Sequence, residues 1–183
     1  GVSVKALVLN MRLYLVGFMG SGKSTVAKLL AEDMNLTAFD LDQIIIEESG
    51  LPVSILFKQE GEQAFRIRES KLLDQWIKSN AHGVLATGGG TPCFLGNGRK
   101  MEMSGVMIYL KTSADTLSRR LNDQMESRPL LAGLKGKELF SYIEHTLAQR
   151  SEFYERARII VNADQTTNDI VNEIKNKLKE VDL

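Results

Sequence analysis

The stretch GFMGSGKS, residues 17–24, fits the phosphate-binding pattern G-x-x-x-x-G-K-[ST]. A glycine-rich loop lets several backbone N–H groups point inward, and the positive end of the following helix also attracts phosphate. In this pattern the lysine reaches the β- and γ-phosphates of a nucleotide, and the hydroxyl after it ligates Mg²⁺. The stretch therefore predicts a nucleotide site in which Lys23 contacts the phosphates and Ser24 contacts the metal.

The sequence around this loop supports the same interpretation. Residues 12–16 are short, apolar and rich in β-formers, whereas residues 24–34 carry apolar side chains at helical spacing. The alternative is a chance glycine turn, but the pattern would arise by chance in under roughly 1% of chains of this length. A strand before the loop and a helix after it make nucleotide binding the better prediction.

Short apolar strands alternate with helices along the rest of the chain, which favours an α/β fold with a parallel sheet covered on both faces. We predict further strands at 37–40, 83–87, 106–110 and 158–162. The predicted helices lie at 41–49, 53–79 with a hinge at Gly61, 112–121, 137–156 and 168–181. Residues 122–136 are polar and contain glycine, so we predict a mobile loop there.

The composition is that of one compact globular domain, which we expect to span residues 11–183. The 183 residues include 23 basic and 23 acidic side chains, so no general attraction for nucleic acid or anionic lipid is expected. The single cysteine, Cys93, excludes an intrachain disulfide, and we expect it to be a small apolar core residue. Residues 1–10 precede Met11 and are interpreted as a cloning remnant or an upstream extension. No apolar run is long enough to cross a bilayer, so a cytoplasmic protein is expected.

Two aspartates follow the second predicted strand, at the end of the sheet where α/β proteins bind ligands. Asp40 and Asp42 are two residues apart, and alternate positions on an extended backbone face opposite ways. One carboxylate could therefore face Mg²⁺ and the other a substrate hydroxyl. The alternative for such an aspartate is a helix N-cap, which we weigh about evenly when the residue is considered alone.

A second set of polar residues could bind the phosphoryl acceptor. Arg66 and Glu69 lie three apart on one helical face, so the carboxylate could hold a guanidinium that binds an acceptor's carboxylate. The alternative, a solvated surface ion pair, is favoured when the pair is considered alone. Three glycines after a strand, Gly88 to Gly90, allow a ligand to approach the backbone closely. Arg128 lies in the predicted mobile loop and could close over the phosphates.

Six segments in order resemble the shikimate kinase family over nearly the whole chain from residue 12. They are GFMGSGKST at 17–25, DLD at 40–42, GEQAFRIRE at 61–69, TGGG at 87–90, SRPLLAG at 127–133 and QRSEFYERA at 149–157. The resemblance implies a three-layer αβα sandwich whose five-stranded parallel sheet has the order 2-3-1-4-5, with substrate-binding helices at about 41–79 and a lid at about 122–136. It also implies transfer of the γ-phosphate of ATP to the 3-hydroxyl of shikimate, with Mg²⁺ as cofactor, and we expect a monomer.

The phosphate-loop pattern, the residue spacing and the resemblance together assign a role to each candidate residue. Catalysis is assigned to Lys23, Asp42 and Arg128, and Mg²⁺ to Ser24 and Asp40. ATP binding is assigned to Gly20, Ser21, Gly22, Lys23, Ser24, Thr25, Arg120 and Arg128. Shikimate binding is assigned to Asp42, Arg66, Glu69, Gly88, Gly89, Gly90 and Arg150.

Two departures from the family pattern affect the adenine side of the site. The stretch between Arg120 and Arg128 is slightly longer than in some relatives, and residues 165–168 lack an arginine that some relatives place near the base.

Two alternatives to the family function remain open at this point. One is another kinase of the same architecture, acting on gluconate, a nucleoside monophosphate or adenylylsulfate. The other is a nucleotide-binding module with no acceptor.

Overall fold

The computed structural model describes residues 11–79, 82–123 and 133–181. Its strands are β1 (Arg12–Val16), β2 (Ala38–Asp40), β3 (Gly83–Ala86), β4 (Val106–Lys111) and β5 (Ile159–Asn162). Its α-helices are α1 (Lys23–Met34), α2 (Leu41–Ser49), α3 (Val53–Lys78), α4 (Asn97–Ser104), α5 (Ala114–Asn122), α6 (Gly136–Tyr154) and α7 (Thr167–Glu180). A short 3₁₀ turn, Thr91–Cys93, lies between β3 and α4.

The five strands form one parallel sheet in the order β2-β3-β1-β4-β5, which confirms the predicted strand order. The central strand β1 pairs with β3 on one side and with β4 on the other. Because all strands run the same way, their carboxyl ends lie along one edge of the sheet. The glycine loop, the DLD segment and the triple glycine all follow strands at that edge.

The alternating side chains of β1 divide the core into two layers, which confirms the three-layer architecture. Leu13 and Leu15 pack on the face covered by α1 and α7, where the buried residues include Leu30 and Ile174. Tyr14 and Val16 face the opposite layer, whose buried side chains from α2, α3 and α4 are Leu41, Ile45, Leu56, Phe65, Leu72, Leu73, Trp76 and Met101. Burial of both faces explains why the strands are apolar throughout.

A third cluster fixes the glycine loop to the helices that follow β4. Phe18 of the loop is 1% exposed and packs with Leu117 and Leu121 of α5 and with Leu139 and Ile143 of α6. Burying a phenylalanine stabilises the fold by about 1.5–3 kcal/mol. The loop is therefore packed against both helices that flank the predicted lid at about 122–136.

The predicted elements match the observed ones to within about two residues, with one omission. Helix α3 contains the predicted break, because Gly61 has φ 82° and ψ 171° within an otherwise helical segment. Helix α5 begins two residues later than predicted, because the Ser113 side chain accepts a hydrogen bond from Thr116 N–H as an N-cap. The prediction omitted α4 entirely, because Gly96 precedes this helix, Gly98 lies in its first turn, and only its residues Asn97 and Met101 are buried.

In the described part of the chain, no helix has the length and apolar character needed to span a membrane.

Candidate active site

The glycine loop joins β1 to α1 through three residues whose backbones favour glycine. Gly17, Gly20 and Gly22 have φ values of 151°, 84° and 90°. Space is also limited, because a Cβ at Gly17 would lie 2.9 Å from the Leu110 carbonyl oxygen, and one at Gly20 would lie 3.1 Å from a Leu121 methyl carbon. Since α1 starts at Lys23, the loop ends at the positive end of a 12-residue helix.

Lys23 is buried within this loop, with 8% of its surface exposed. Its ammonium group donates hydrogen bonds to the carbonyl oxygens of Gly17 at 2.6 Å and Phe18 at 3.0 Å. A buried ammonium needs such partners, since transfer of an isolated charge from water is costly. These contacts place a positive charge at the loop, where phosphates are expected to bind.

Ser24 and Asp40 lie together beside the loop, although they come from different elements. The Ser24 hydroxyl donates to Asp40 Oδ2 at 2.6 Å. The other oxygen of Asp40 accepts from the backbone N–H groups of Asp42 and Gln43, so Asp40 also caps α2. The N-cap interpretation is therefore confirmed, and it is compatible with the functional interpretation because the two oxygens of Asp40 have different partners.

The donor set at Ser24 and Asp40 suits Mg²⁺ bound together with phosphates. Mg²⁺ prefers oxygen ligands and is often held by one or two protein groups, with substrate phosphates and water completing its octahedron. No group of three His, Cys, Asp or Glu side chains that could hold a metal ion occurs among the described residues. A hydroxyl and a carboxylate beside a phosphate loop fit that mode of binding.

A cavity of about 540 Å³ opens over the glycine loop. Its lining includes the predicted nucleotide residues Gly20, Ser21, Gly22, Lys23, Ser24, Thr25, Asp40 and Arg120. Arg120 donates from Nη1 to the Gly20 carbonyl oxygen at 3.0 Å, which connects α5 to the loop. Arg128, the predicted lid arginine, lies outside the described residues.

A wide groove of about 600 Å³ adjoins this cavity near residues 165–168, where the sequence lacks the arginine of some relatives. It is lined by Thr116, Arg119, Arg120, Asp123, Asp164, Gln165 and Thr166. The Gln165 amide donates to the Asn162 carbonyl oxygen and to Glu173, each at 2.7 Å. These bonds fix the loop between β5 and α7 without the arginine that some relatives have there.

A second cavity of about 420 Å³ lies against α3 and the triple glycine. It brings together all the residues assigned to the acceptor: Asp42, Arg66, Glu69, Gly88, Gly89, Gly90 and Arg150. Apolar side chains, including Ile46, Val53, Phe57 and Phe65, complete its wall. Four residues line both cavities, namely Met19, Asp42, Gly88 and Gly89, so the two cavities are adjacent.

The surface ion-pair alternative for Arg66 and Glu69 is wrong. The side chains are only 7% and 1% exposed, and Arg66 Nη1 donates to Glu69 Oε1 at 3.0 Å. The guanidinium also lies over the Phe94 ring at 4.3 Å from its centroid. Burial raises the pKa of Glu69, while the neighbouring Arg66 charge and the Thr91 hydrogen bond act in the opposite direction. Arg66 is therefore fixed in direction by buried contacts.

Arg150, from the carboxyl-terminal part of α6, reaches the same cavity. It is 9% exposed and lies 5.6 Å from the centroid of the Phe18 ring. Arg150 makes no ion pair with an acidic side chain in the described ranges 11–79, 82–123 and 133–181. Since a buried charge without a counter-ion is unfavourable, this guanidinium favours an anionic ligand in the cavity.

Asp42 lies where the two cavities meet, but the argument that we used to predict its position from the sequence is wrong. The expectation that Asp40 and Asp42 alternate along an extended backbone is wrong, because α2 begins at Leu41. Asp42 lies in the first turn of that helix and lines both cavities. The inference of different partners is nevertheless compatible with the geometry, since Asp40 pairs with Ser24.

The triple glycine leaves room for the charged side chains of the second cavity. A Cβ at Gly88 would lie 3.1 Å from Glu69 Oε2, and one at Gly89 would lie 3.2 Å from Arg150 Nη1. A Cβ at Gly90 would fall 2.5 Å from Arg66 Nη2 and 2.7 Å from its Cζ. Even a methyl group on this turn would therefore occupy the space of the Arg66 guanidinium.

Gly90→Ala is expected to displace Arg66 without unfolding the protein. Gly90 has φ −96° and ψ −6°, a conformation open to alanine, and the clash is with the end of a flexible side chain. We expect the KM for the acceptor to rise about tenfold with little change in the KM for ATP, by analogy with loss of a charged hydrogen bond. Steady-state kinetics with each substrate varied will test this. An unchanged acceptor KM in a folded variant would show that Arg66 does not act from its present position.

Sequence reasoning missed several residues that shape this site. Thr91, 0% exposed, donates to Glu69 Oε2 at 2.8 Å, and the Tyr154 hydroxyl donates to the Gly89 carbonyl oxygen. Thr91 directly follows the triple glycine, so its place in the sequence could have indicated a role at the site. No feature of the sequence around Tyr154 indicates such a role. Cys93 is half-buried against the second core layer, and burial raises the pKa of its thiol to about 11.

Comparison with known proteins agrees with this geometry. The family model described as shikimate kinase matches residues 19–179. A shikimate kinase from Parabacteroides distasonis is 39% identical over 171 residues, which cover 93% of this chain and 98% of the relative. The crystal structure of the Bacteroides thetaiotaomicron shikimate kinase superposes with a TM-score of 0.86 at 35% identity, covering 92% of this chain and 98% of that one. The Acinetobacter baumannii shikimate kinase in complex with shikimate gives a TM-score of 0.87 at 30% identity, covering 97% of each chain.

Proposed function

We propose, because the chain belongs to the shikimate kinase family, that it transfers the γ-phosphate of ATP to the 3-hydroxyl of shikimate. The products are ADP and shikimate 3-phosphate. The observation that carries the proposal is the pair of adjacent cavities, one over a phosphate loop and one lined by two buried arginines. Shikimate is a carboxylate with several hydroxyls, and these are the groups that arginines and an aspartate bind.

The glycine loop and its neighbours would hold the nucleotide. Backbone N–H groups at Gly20 to Gly22 and the ammonium of Lys23 are suited to the phosphates, with Thr25 and Arg120 beside them. Ser24 and Asp40 would hold Mg²⁺, the latter directly or through water. Bound there, the ion would supply positive charge that offsets the charge of the transferring phosphoryl group. We assign Arg128 to closure of the lid over the phosphates, in keeping with the family pattern.

The second cavity would orient the acceptor. Arg66 and Arg150 would bind its carboxylate, with Glu69 holding Arg66 in place. The glycines at 88–90 would border the ring, and Asp42 would accept hydrogen bonds from the hydroxyls. Since Asp42 lines both cavities, the hydroxyl that it binds would lie nearest the γ-phosphate.

The chemical step requires little beyond positioning and charge neutralisation. The acceptor oxygen attacks the γ-phosphorus while the bond to the bridging oxygen of ADP breaks, and the hydroxyl proton passes to the Asp42 carboxylate. Phosphoryl transfer has a loose transition state, so placing the two oxygens in line matters more than the strength of the base. Closing the lid would exclude water, which competes with the acceptor for the γ-phosphate.

ADP formation with and without shikimate tests the proposed function. We expect ATP turnover to depend on shikimate and to be much slower with gluconate or a nucleoside monophosphate. Equal rates with those acceptors would favour another kinase of the same architecture. Nucleotide binding without turnover under any of these conditions would favour a binding module.

We propose the cytoplasm as the site of this activity, where ATP is available, and a monomer as the active form, since residues of one chain line both cavities.

Asp42→Asn is expected to affect the acceptor and to spare the nucleotide. The substitution keeps the shape of the side chain and removes its charge, so it weakens hydrogen bonds from the acceptor hydroxyls and removes the proton acceptor. We expect kcat to fall about a hundredfold, whereas the Kd for ATP should change little. Binding of each substrate, measured by titration beside activity, will decide this. A large loss of ATP affinity with shikimate binding intact would instead place Asp42 on the metal side.

A further inference from the structure

A buried polar cluster connects to the contacts of Arg66 but does not line the second cavity. It consists of Ser70 from α3, Thr91 from the 3₁₀ turn and Asn97 at the start of α4. Asn97 is 0% exposed; its Nδ2 donates to the Thr91 carbonyl oxygen at 3.0 Å, and its Oδ1 accepts from the Ser70 hydroxyl at 2.8 Å. The side-chain amide therefore connects α3 to the turn after the triple glycine.

Two paths of contact lead from that turn to the Arg66 guanidinium. The Thr91 hydroxyl donates to Glu69 Oε2 at 2.8 Å, and the other oxygen of Glu69 accepts from Arg66 at 3.0 Å. Phe94, between the turn and Asn97, places its ring 4.3 Å from the guanidinium carbon. Both contacts depend on where residues 91–94 lie, and Asn97 holds this segment through the Thr91 carbonyl oxygen.

We propose that Asn97 is a positioning residue for the acceptor's carboxylate, acting through Thr91 and Glu69 on the direction of Arg66. The proposal rests on the proposed role of Arg66 in binding that carboxylate. The side chain suits the task because an amide can donate to one segment and accept from another at the same time. In a buried network each bond is stronger than in water, and a lost bond is correspondingly costly.

Asn97→Asp removes the donor and keeps the size of the side chain. A carboxylate oxygen would then face the Thr91 carbonyl oxygen, so the turn would move away. The ammonium of Lys100 lies 3.5 Å from Asn97 Oδ1. Its positive charge would stabilise the new carboxylate, so we expect the variant to fold. We expect the KM for shikimate to rise about five- to tenfold, with kcat at saturating shikimate and the KM for ATP near wild type.

Substitutions at Thr91 test the same path without changing Asn97. Thr91→Val removes the hydroxyl that donates a hydrogen bond to Glu69 and keeps the shape of the side chain. It should therefore raise the KM for shikimate as Asn97→Asp does. Thr91→Ser keeps the hydroxyl and should restore a KM close to wild type. If Thr91→Ser and Thr91→Val were equally impaired, the hydrogen bond to Glu69 would not be the connection and the proposal would fail.

Ser104→Ala is the matched structural control, since it lies on α4 as well. It removes bonds with the Tyr14 hydroxyl and the Lys100 carbonyl oxygen, at the opposite end of the helix from Asn97. We expect this variant to lower Tm and to leave the KM for shikimate unchanged. If Ser104→Ala raised that KM as much as Asn97→Asp, loss of helix stability would explain the effect and positioning would not.

The Arg66→Ala background separates failure of this inference from failure of the proposed site. In this background Asn97→Asp should lower Tm, because a buried hydrogen bond is lost, but it should add nothing to the KM for shikimate, because no guanidinium remains to be oriented. If Arg66→Ala alone left the KM unchanged, the proposed carboxylate site would be wrong. If Arg66→Ala raised it and Asn97→Asp did not, only the role of Asn97 would be overturned.

Discussion

Lys23→Ala is expected to reduce kcat by about a hundredfold to a thousandfold, as removal of one preorganised charge or donor at a transition state does. The ammonium is held at the glycine loop by the Gly17 and Phe18 carbonyl oxygens, close to where the phosphates are expected to bind. Charge develops on the transferring phosphoryl group, and the loss should therefore fall on turnover more than on ATP affinity. Single-turnover kinetics will measure the chemical step directly.

Lys28→Ala provides a control on the same helix. Lys28 is exposed on α1, outside the loop, and it lines neither the cavity over the loop nor the acceptor cavity. This variant loses the same charge and should retain wild-type kcat. Circular dichroism and Tm will show that both variants are folded. Near-normal turnover in folded Lys23→Ala would show that the phosphate-loop assignment is wrong.

Arg66→Ala and Arg150→Ala should each weaken shikimate binding strongly and leave ATP affinity nearly unchanged. Truncating one partner of a buried charged contact costs on the order of 2–5 kcal/mol, because the other charge stays desolvated. That range corresponds to a rise in the Kd for shikimate of about thirtyfold or more. Arg66→Lys should also be impaired, because an ammonium cannot reproduce the planar fork of guanidinium donors. Glu69→Ala should resemble a milder Arg66 defect.

An acceptor analogue with a neutral amide in place of the carboxylate decides whether these arginines bind that group. Wild type should bind shikimate far more tightly than the amide, and this preference should shrink in Arg66→Ala and Arg150→Ala. Isothermal titration of both ligands against each variant gives the comparison. If either variant kept the full wild-type preference, its arginine would not contact the carboxylate.

The sheet and the nucleotide loop could be predicted from the sequence because their physical requirements are local. Strands buried on both faces are apolar throughout, and a phosphate loop needs its glycines, lysine and hydroxyl at fixed spacing. Helix α4 lacks local indications of this kind. It begins after Gly96, which has φ 70° and makes no side-chain cap, and it is held by the bonds of Asn97 to Ser70 and Thr91, which lie outside the helix.

The acceptor side shows where spacing alone is insufficient. Arg66 and Glu69 have the i,i+3 spacing of many exposed ion pairs, and their burial comes from segments distant in sequence, namely the triple glycine, Thr91 and Phe94. The family resemblance named the residues of this pocket, but spacing could not show that they were buried. For Asp42 the argument from an extended backbone was wrong, since the helix predicted at 41–49 already contains this residue.

The raised pKa of Cys93 has a consequence for labelling chemistry. Thiol reagents attack the thiolate, and with a pKa of about 11 only a very small fraction of this group is ionised at neutral pH. Maleimide dyes should therefore react slowly with Cys93, which is the one cysteine of the chain. Met103, 77% exposed on α4, is a suitable place for a fluorophore. A Met103→Cys variant can therefore be labelled selectively with the native cysteine left in place.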